Sequence, residues 1–258
     1  MKWARISKNG GPALVGVVEG DHFFPRVALG AEDSAGAAIP LAEARLLAPA
    51  EPGNFICLWN NFRQLAAKNS WQEPAHPLFL LKPSASLSGT SDVVAVPPSA
   101  GRIMFEGELG IVIGRACTRV STDEAEAAIL GYTCVNDLTA IDLLNESSDF
   151  LQWTRAKGLD GFGAIGPMIV TGLNWRELVV RVILGGRERQ SYQCSDMIMS
   201  PPQIVSRISM EMSLRPGDII ACGTSIGSRP VKMGEPVTVF IEGIGELTTT
   251  LEAIDTGN

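Results

Sequence analysis

Short apolar runs that end abruptly in glycine or proline dominate this chain. ELGIVIG, GYTCVND, LVVRVILGG and PVTVFIEGIGELTTTLEA are β-branched throughout or alternate apolar with polar residues, as half-buried or buried strands do. With 27 glycines and 16 prolines in 258 residues, turn signals recur every few positions. Helical signals are fewer. Ser121 followed by Glu124 forms a capping-box pattern opening STDEAEAAILG, with Gly131 suited to its end, and LTAIDLLN and SPPQIVSRISMEM supply two more candidates. Strands outnumber helices, no fixed-length repeat occurs, and strand–helix–strand units do not recur. The pattern predicts a strand-rich α+β fold over a doubly wound sheet.

Along the chain, KWARIS, ALVGVVEGD and HFFPRV read as a small N-terminal β meander, followed by an Ala-rich stretch to Ala50 with a weak helical pattern at its end. The Pro52-Gly53 break divides a small N-terminal domain, residues 1–50, from a main domain, residues 51–258. Beyond it, FICLWNNF reads as a strand, FRQLAAKNSWQE as a short helix or lid, and HPLFLLKP as a buried strand closed by Lys82-Pro83.

Composition narrows the function. A formal charge of -7 and the lack of any basic stripe with interleaved aromatics argue against nucleic acid as a partner. No apolar run reaches the ~18 residues of a membrane span, and the first residues lack a signal-peptide core, so a cytoplasmic location away from membrane is expected. The five cysteines are scattered, without a metal-knuckle spacing, and read as buried free thiols. With only His22 and His76, any metal must be held by oxygen.

The stretch MFEGELGIVIG places Glu106 and Glu108 two positions apart, so on a strand both carboxylates project to one face and Gly107 to the other. Like charges that close repel each other. Either the strand end lies in water or a divalent cation joins the pair, and the second case needs another oxygen ligand. Asp137, at the end of GYTCVND, is a candidate, although Asn136-Asp137 also suits a strand-to-helix turn. Lys157 lies in the Gly-rich RAKGLDGFGAIGP with Arg155 close by, either in a site or as a solvated loop lysine. Gly223-Thr224 forms a turn after an apolar strand whose backbone N–H groups could hold a carboxylate.

Taken in order, PLFLLKP, FEGELGIVIG, GYTCVNDLTAID, RAKGLDGFGAIGP, LRPGDIIACGTSIG and VTVFIEGIGEL resemble the fumarylacetoacetate hydrolase superfamily over roughly residues 54–251. The resemblance implies a mixed β-sandwich roll, a homodimer, and a Mg2+ ion (or Mn2+ or Ca2+) held by Glu106, Glu108 and Asp137. It also implies a small-molecule 2-oxo or β-dicarbonyl acid as substrate, bound by Thr224, Gly223 and Arg155, with Lys157 as the active-site lysine. In such a site the cation acts as a Lewis acid that stabilises the substrate enolate. The His-Glu dyad of the family's hydrolases and decarboxylases is replaced here by Leu65 and Lys68. His76 and a Lys157 whose pKa the cation lowers toward neutrality are the remaining candidates for a base. Ser225, where the family's turn has proline, and Ile141, where it often has arginine, suggest an altered substrate pocket. C–C bond hydrolysis of the acylpyruvase type and enol–keto isomerisation or decarboxylation of 2-hydroxymuconate-type dicarboxylates are therefore expected about equally. A non-catalytic metal- and 2-oxo-acid-binding homologue is the further alternative.

Overall fold

In a computed structural model, which describes residues 1–254, two large sheets, a two-stranded ribbon and a few short helices make up the described residues. The larger sheet has twelve strands. Its centre runs Lys2–Lys8, Gly163–Val170, Ile129–Asp137, Gly107–Ile113, Ile219–Ala221, Phe55–Trp59 and Leu78–Lys82. The second sheet has five strands, in the order Arg187–Gln193, Val179–Leu184, Val237–Ile241, Gly245–Ala253 and Val93–Val96. Every described helix is short, the longest being Pro201–Ser209, and none is long and apolar enough to cross a membrane.

The sheets pack face to face because the central strands are apolar on both sides. Leu109, Ile111 and Ile113 share a core with Val180, Val182, Val237 and Val239 of the second sheet. Val112 and Val135 turn to the opposite face, against Phe55 and Ile165. Alternation along Gly107–Ile113 thus sends Gly107 toward the second sheet and Glu108 away from it. A side chain at position 107 could not fit, since its Cβ would lie 2.2 Å from Val182 Cγ2.

The capping box at Ser121 forms as expected, and all five cysteines are buried and free. Three local expectations fail. The Ala-rich stretch forms no α-helix: after a 3-10 turn at Leu41–Glu43, Ala44–Leu47 is a strand paired with Lys2–Lys8, so sheet pairing overrides a weak helical propensity. The helix opened by Ser121 stops at Ala128, and Gly131 lies inside the next strand. There its missing Cβ admits the Val170 carbonyl, which a Cβ would meet at 2.3 Å. Of LTAIDLLN only Ile141–Leu144 is helical, because Thr139–Ala140 pairs with Ile103–Met104. The N-terminal strands also join the main sheet directly, with Trp3 opposite Ile169.

Candidate metal centre

Strand pairing builds the acidic cluster. Gly107–Ile113 runs antiparallel to Ile129–Asp137 with Gly107 opposite Asn136, and the Asp137 amide donates to the Glu106 carbonyl at 2.9 Å. Asp137 therefore shares a sheet face with Glu108. One carboxylate oxygen from each of Glu106, Glu108 and Asp137 lies within 4.8 Å of the other two. Glu108 and Asp137 are buried, while Glu106 is half-buried and faces a cavity.

Two lysines offset this charge. The Lys157 ammonium lies 2.7 Å from Glu106 Oε2 and 2.6 Å from Asp137 Oδ2, and Lys82 Nζ lies 2.7 Å from Asp137 Oδ1. Lys82 is fully enclosed and also donates to the carbonyls of Phe162, at 3.0 Å, and Lys157. Glu108 Oε2 accepts from the Gly223 amide at 2.7 Å, while its buried Oε1 has no partner among the described residues. With all three carboxylates ionised they exceed the two ammonium groups by one charge, and a buried oxygen of Glu108 is left without a partner among the described residues. That all-oxygen donor set fits a hard divalent cation.

Protonation follows from these neighbours. Burial pushes the Glu108 carboxyl well up, and Asp137 and Glu106 add to the effect. For Asp137, burial acts in the same upward direction, but the adjacent Lys157 and Lys82 outweigh it and hold the group below its usual range. Burial alone would lower the Lys157 ammonium, yet Asp137 and Glu106 prevail and raise it. The expected lowering toward neutrality is thus reversed in the metal-free protein, because carboxylates and not a cation are its contacts.

A cavity of about 230 Å³ opens on the cluster. Glu106, Lys157, Thr224 and Ser225 line one side, and Leu65 and Lys68, from the helix Arg63–Lys68, line another. Thr224 Oγ1 donates to the Gly107 carbonyl at 3.0 Å and accepts from Gln190 Nε2 at 3.0 Å. Gly223 serves through its amide on Glu108, not as a contact to the cavity.

Two expected residues stay outside. Arg155 is two positions before Lys157 on the helix Trp153–Lys157, about 200° around it, and pairs with Glu146 in solvent. His76 is an exposed loop residue at the start of the strand whose other end carries Lys82 to the site. Three residues were not foreseen. Lys82 looked like a strand terminus before proline. Gln190 and Tyr192 lie in RERQSYQ, which carries no motif, yet they hold the glutamate strand: Gln190 Oε1 accepts from the Gly107 amide at 3.2 Å and the Tyr192 hydroxyl donates to the Gly107 carbonyl.

Residues 54–252 match the family described as Fumarylacetoacetate (FAA) hydrolase C-terminal. This chain belongs to the fumarylacetoacetate hydrolase family. Residues 1–49 match a second family, Rv2993c-like, N-terminal. Protein Rv2993c of Mycobacterium tuberculosis is 42% identical over 83% of this chain and 80% of its own. Oxaloacetate tautomerase YisK of Bacillus subtilis is 33% identical over 91% of this chain and 84% of its own. Among solved structures, 5-carboxymethyl-2-hydroxymuconate delta-isomerase from Mycobacterium smegmatis superimposes with a TM-score of 0.89 at 33% identity, covering 99% of this chain and 100% of that one. Maleylpyruvate hydrolase from Sphingobium sp. SYK-6, in complex with manganese(II) and pyruvate, gives 0.79 at 27% identity, covering 99% and 100%. The chain is accordingly a fumarylacetoacetate hydrolase-family enzyme with the sandwich of its relatives and an acidic triad able to bind a metal.

Proposed function

We propose that this chain is a divalent-metal-dependent isomerase that interconverts the enol and keto forms of a small 2-oxo acid. Glu106, Glu108 and Asp137 would hold the ion, Mg2+ or Mn2+ being the natural occupants of an all-oxygen set. When bound, the cation supplies Lewis acidity toward substrate oxygens.

One observation carries the choice of reaction: among the described residues, the only ionisable side chains lining the cavity are Glu106, Lys157 and Lys68. Glu106 is committed to the acidic cluster, and the helix wall offers Leu65 and an ammonium where a base for water would have to be. Hydrolysis of a C–C bond needs an activated water, whereas enol–keto exchange needs one proton moved between oxygen and carbon. Lys157 can hold that proton at Nζ, fixed by Glu106 and Asp137. Thr224 and the Gly223 amide fix the neighbouring turn, and Trp59, Trp71 and Leu65 keep the cavity partly apolar. The similarity to an oxaloacetate tautomerase and to a muconate isomerase supports this reading. The similarity to maleylpyruvate hydrolase favours C–C hydrolysis as the second reading.

A panel of acylpyruvates and 2-oxo acid enols, followed spectroscopically with Mg2+ or Mn2+ and with EDTA, separates the two. Metal-dependent relaxation of the enol without fragments is expected. Metal-dependent release of a carboxylic acid fragment by the parent chain would give the function to the hydrolase reading. In that assay Leu65→His combined with Lys68→Glu should raise acylpyruvate cleavage above the parent's level.

A further inference from the structure

Lys68 stands apart from the other cations near the site. Lys157 and Lys82 are consumed by carboxylates, and Arg63 at the other end of the same helix is bound to the carbonyls of Met197 and Ile198 and to Glu73. Lys68 makes no ion pair or side-chain hydrogen bond among the described residues, yet it lines the cavity. Its position is fixed from behind. Phe62 is fully buried edge-on against Tyr192, Asn61 bonds the backbone at Met199 and Cys222, and the Gln64 amide donates to Asp196 Oδ2 at 3.0 Å.

Charge shows what this ammonium is for. The acidic cluster holds three carboxylates and two ammonium groups, so a divalent cation brings it to a single net positive charge. The carboxylate of a 2-oxo acid matches that charge. Lys68 then adds a second positive charge, and Glu106, already used, is the only acidic side chain lining the cavity among the described residues. A cavity of about 230 Å³ suits a molecule of a few carbons rather than a long acyl chain.

We infer that Lys68 is the specificity-determining residue of this site, and that it selects 2-oxo acids carrying a second carboxylate at the end remote from the metal cluster. The inference rests on the 2-oxo-acid reading above and adds the choice between mono- and dicarboxylates.

The test is calorimetric binding to the full chain loaded with Mg2+, using oxaloacetate and 2-oxoglutarate against their chain-matched monoacids 2-oxobutanoate and 2-oxopentanoate. The parent should prefer the dicarboxylates by about tenfold or more, the scale of one partly desolvated charge pair. In Lys68→Met that ratio should collapse toward one, Lys68→Arg should restore it, and Lys68→Glu should invert it. Lys68 is exposed and has no ion pair among the described residues, so these variants should fold, and their Mg2+ affinity in the absence of any acid checks that the cluster is intact. Equal binding of both classes by the parent, or an equal loss of both in Lys68→Met, overturns the inference while leaving the 2-oxo-acid reading standing. Failure of either class to bind in a Mg2+-dependent way overturns the reading and the inference together.

Discussion

The two walls of the cavity are built on different principles. The acidic wall stands on paired strands, is largely buried, and ties Glu106 and Asp137 to Lys157 and Lys82 while the Gly223 amide holds Glu108. The helix wall is a single short element, Arg63–Lys68, anchored at its first turn, with Lys68 at its end exposed and without an ion pair among the described residues. Charges on the first wall cannot be altered singly, because each removal leaves a partner stranded away from water. On the second, Lys68 can be exchanged without stranding a partner among the described residues, so a change of substrate there need not disturb the acidic cluster.

The sharpest way to break this comparison is Asp137→Ala. Lys82 and Lys157 would be left facing a depleted cluster, and a stability loss of about 3–5 kcal/mol is expected in urea melts, with metal uptake lost by calorimetry. A stable, metal-binding Asp137→Ala protein would mean the cluster is not a unit.

Lys157→Met should come next. Turnover should fall tenfold or more, as for loss of a proton-handling group. In the metal-free protein this variant should also be less stable, since Glu106 and Asp137 lose their shared ammonium, and a bound cation should recover much of that loss. Melting with and without Mg2+ reads the difference.

A smaller effect concerns pH. Glu108 has its carboxyl pushed up from an ordinary value of 4.5, chiefly by burial. A raised carboxyl contributes stability below its unfolded value and loses it as pH climbs through the folded one. The metal-free protein should therefore weaken across that window, while cation uptake displaces the proton. The stabilisation by Mg2+ should grow as pH rises above Glu108's ordinary 4.5, with proton release visible as a buffer-dependent binding enthalpy. Asp137, held low by the two lysines, acts only below its ordinary 3.8, outside this window. On the opposite wall, Lys68→Ala should leave the unfolding free energy within about 0.5 kcal/mol of the parent's in urea melts, the smallest effect in the set.

The same contrast explains what could be read in the sequence. Glu106, Glu108, Asp137, Lys157 and Thr224 lie in contiguous strings whose local geometry, strand ends and tight turns, is set by neighbouring residues. Lys82 could not be recognised, because its burial depends on Asp137, fifty-five positions away, and a lysine before proline looks the same on a surface. Gln190 and Tyr192 act across the sandwich, and nothing within RERQSYQ signals it. The strand at Ala44–Leu47 was hidden for a similar reason: its partner is the first strand of the chain. Arg155 and His76 were drawn in by nearness in sequence, which helix phase and strand length then undid.

Gly107 has one further implication, for recombination between relatives. Its amide and carbonyl are held by Gln190, Tyr192 and Thr224, and its bare Cα lies against Val182. The hairpin from Val179 to Gln193 contributes no cation ligand, yet it sets the bed on which the two glutamates lie. A chimaera receiving that hairpin from a donor without the glutamine and tyrosine could keep the fold while losing the spacing of the glutamate pair. The heritable unit of this site therefore includes a segment that supplies none of its carboxylates.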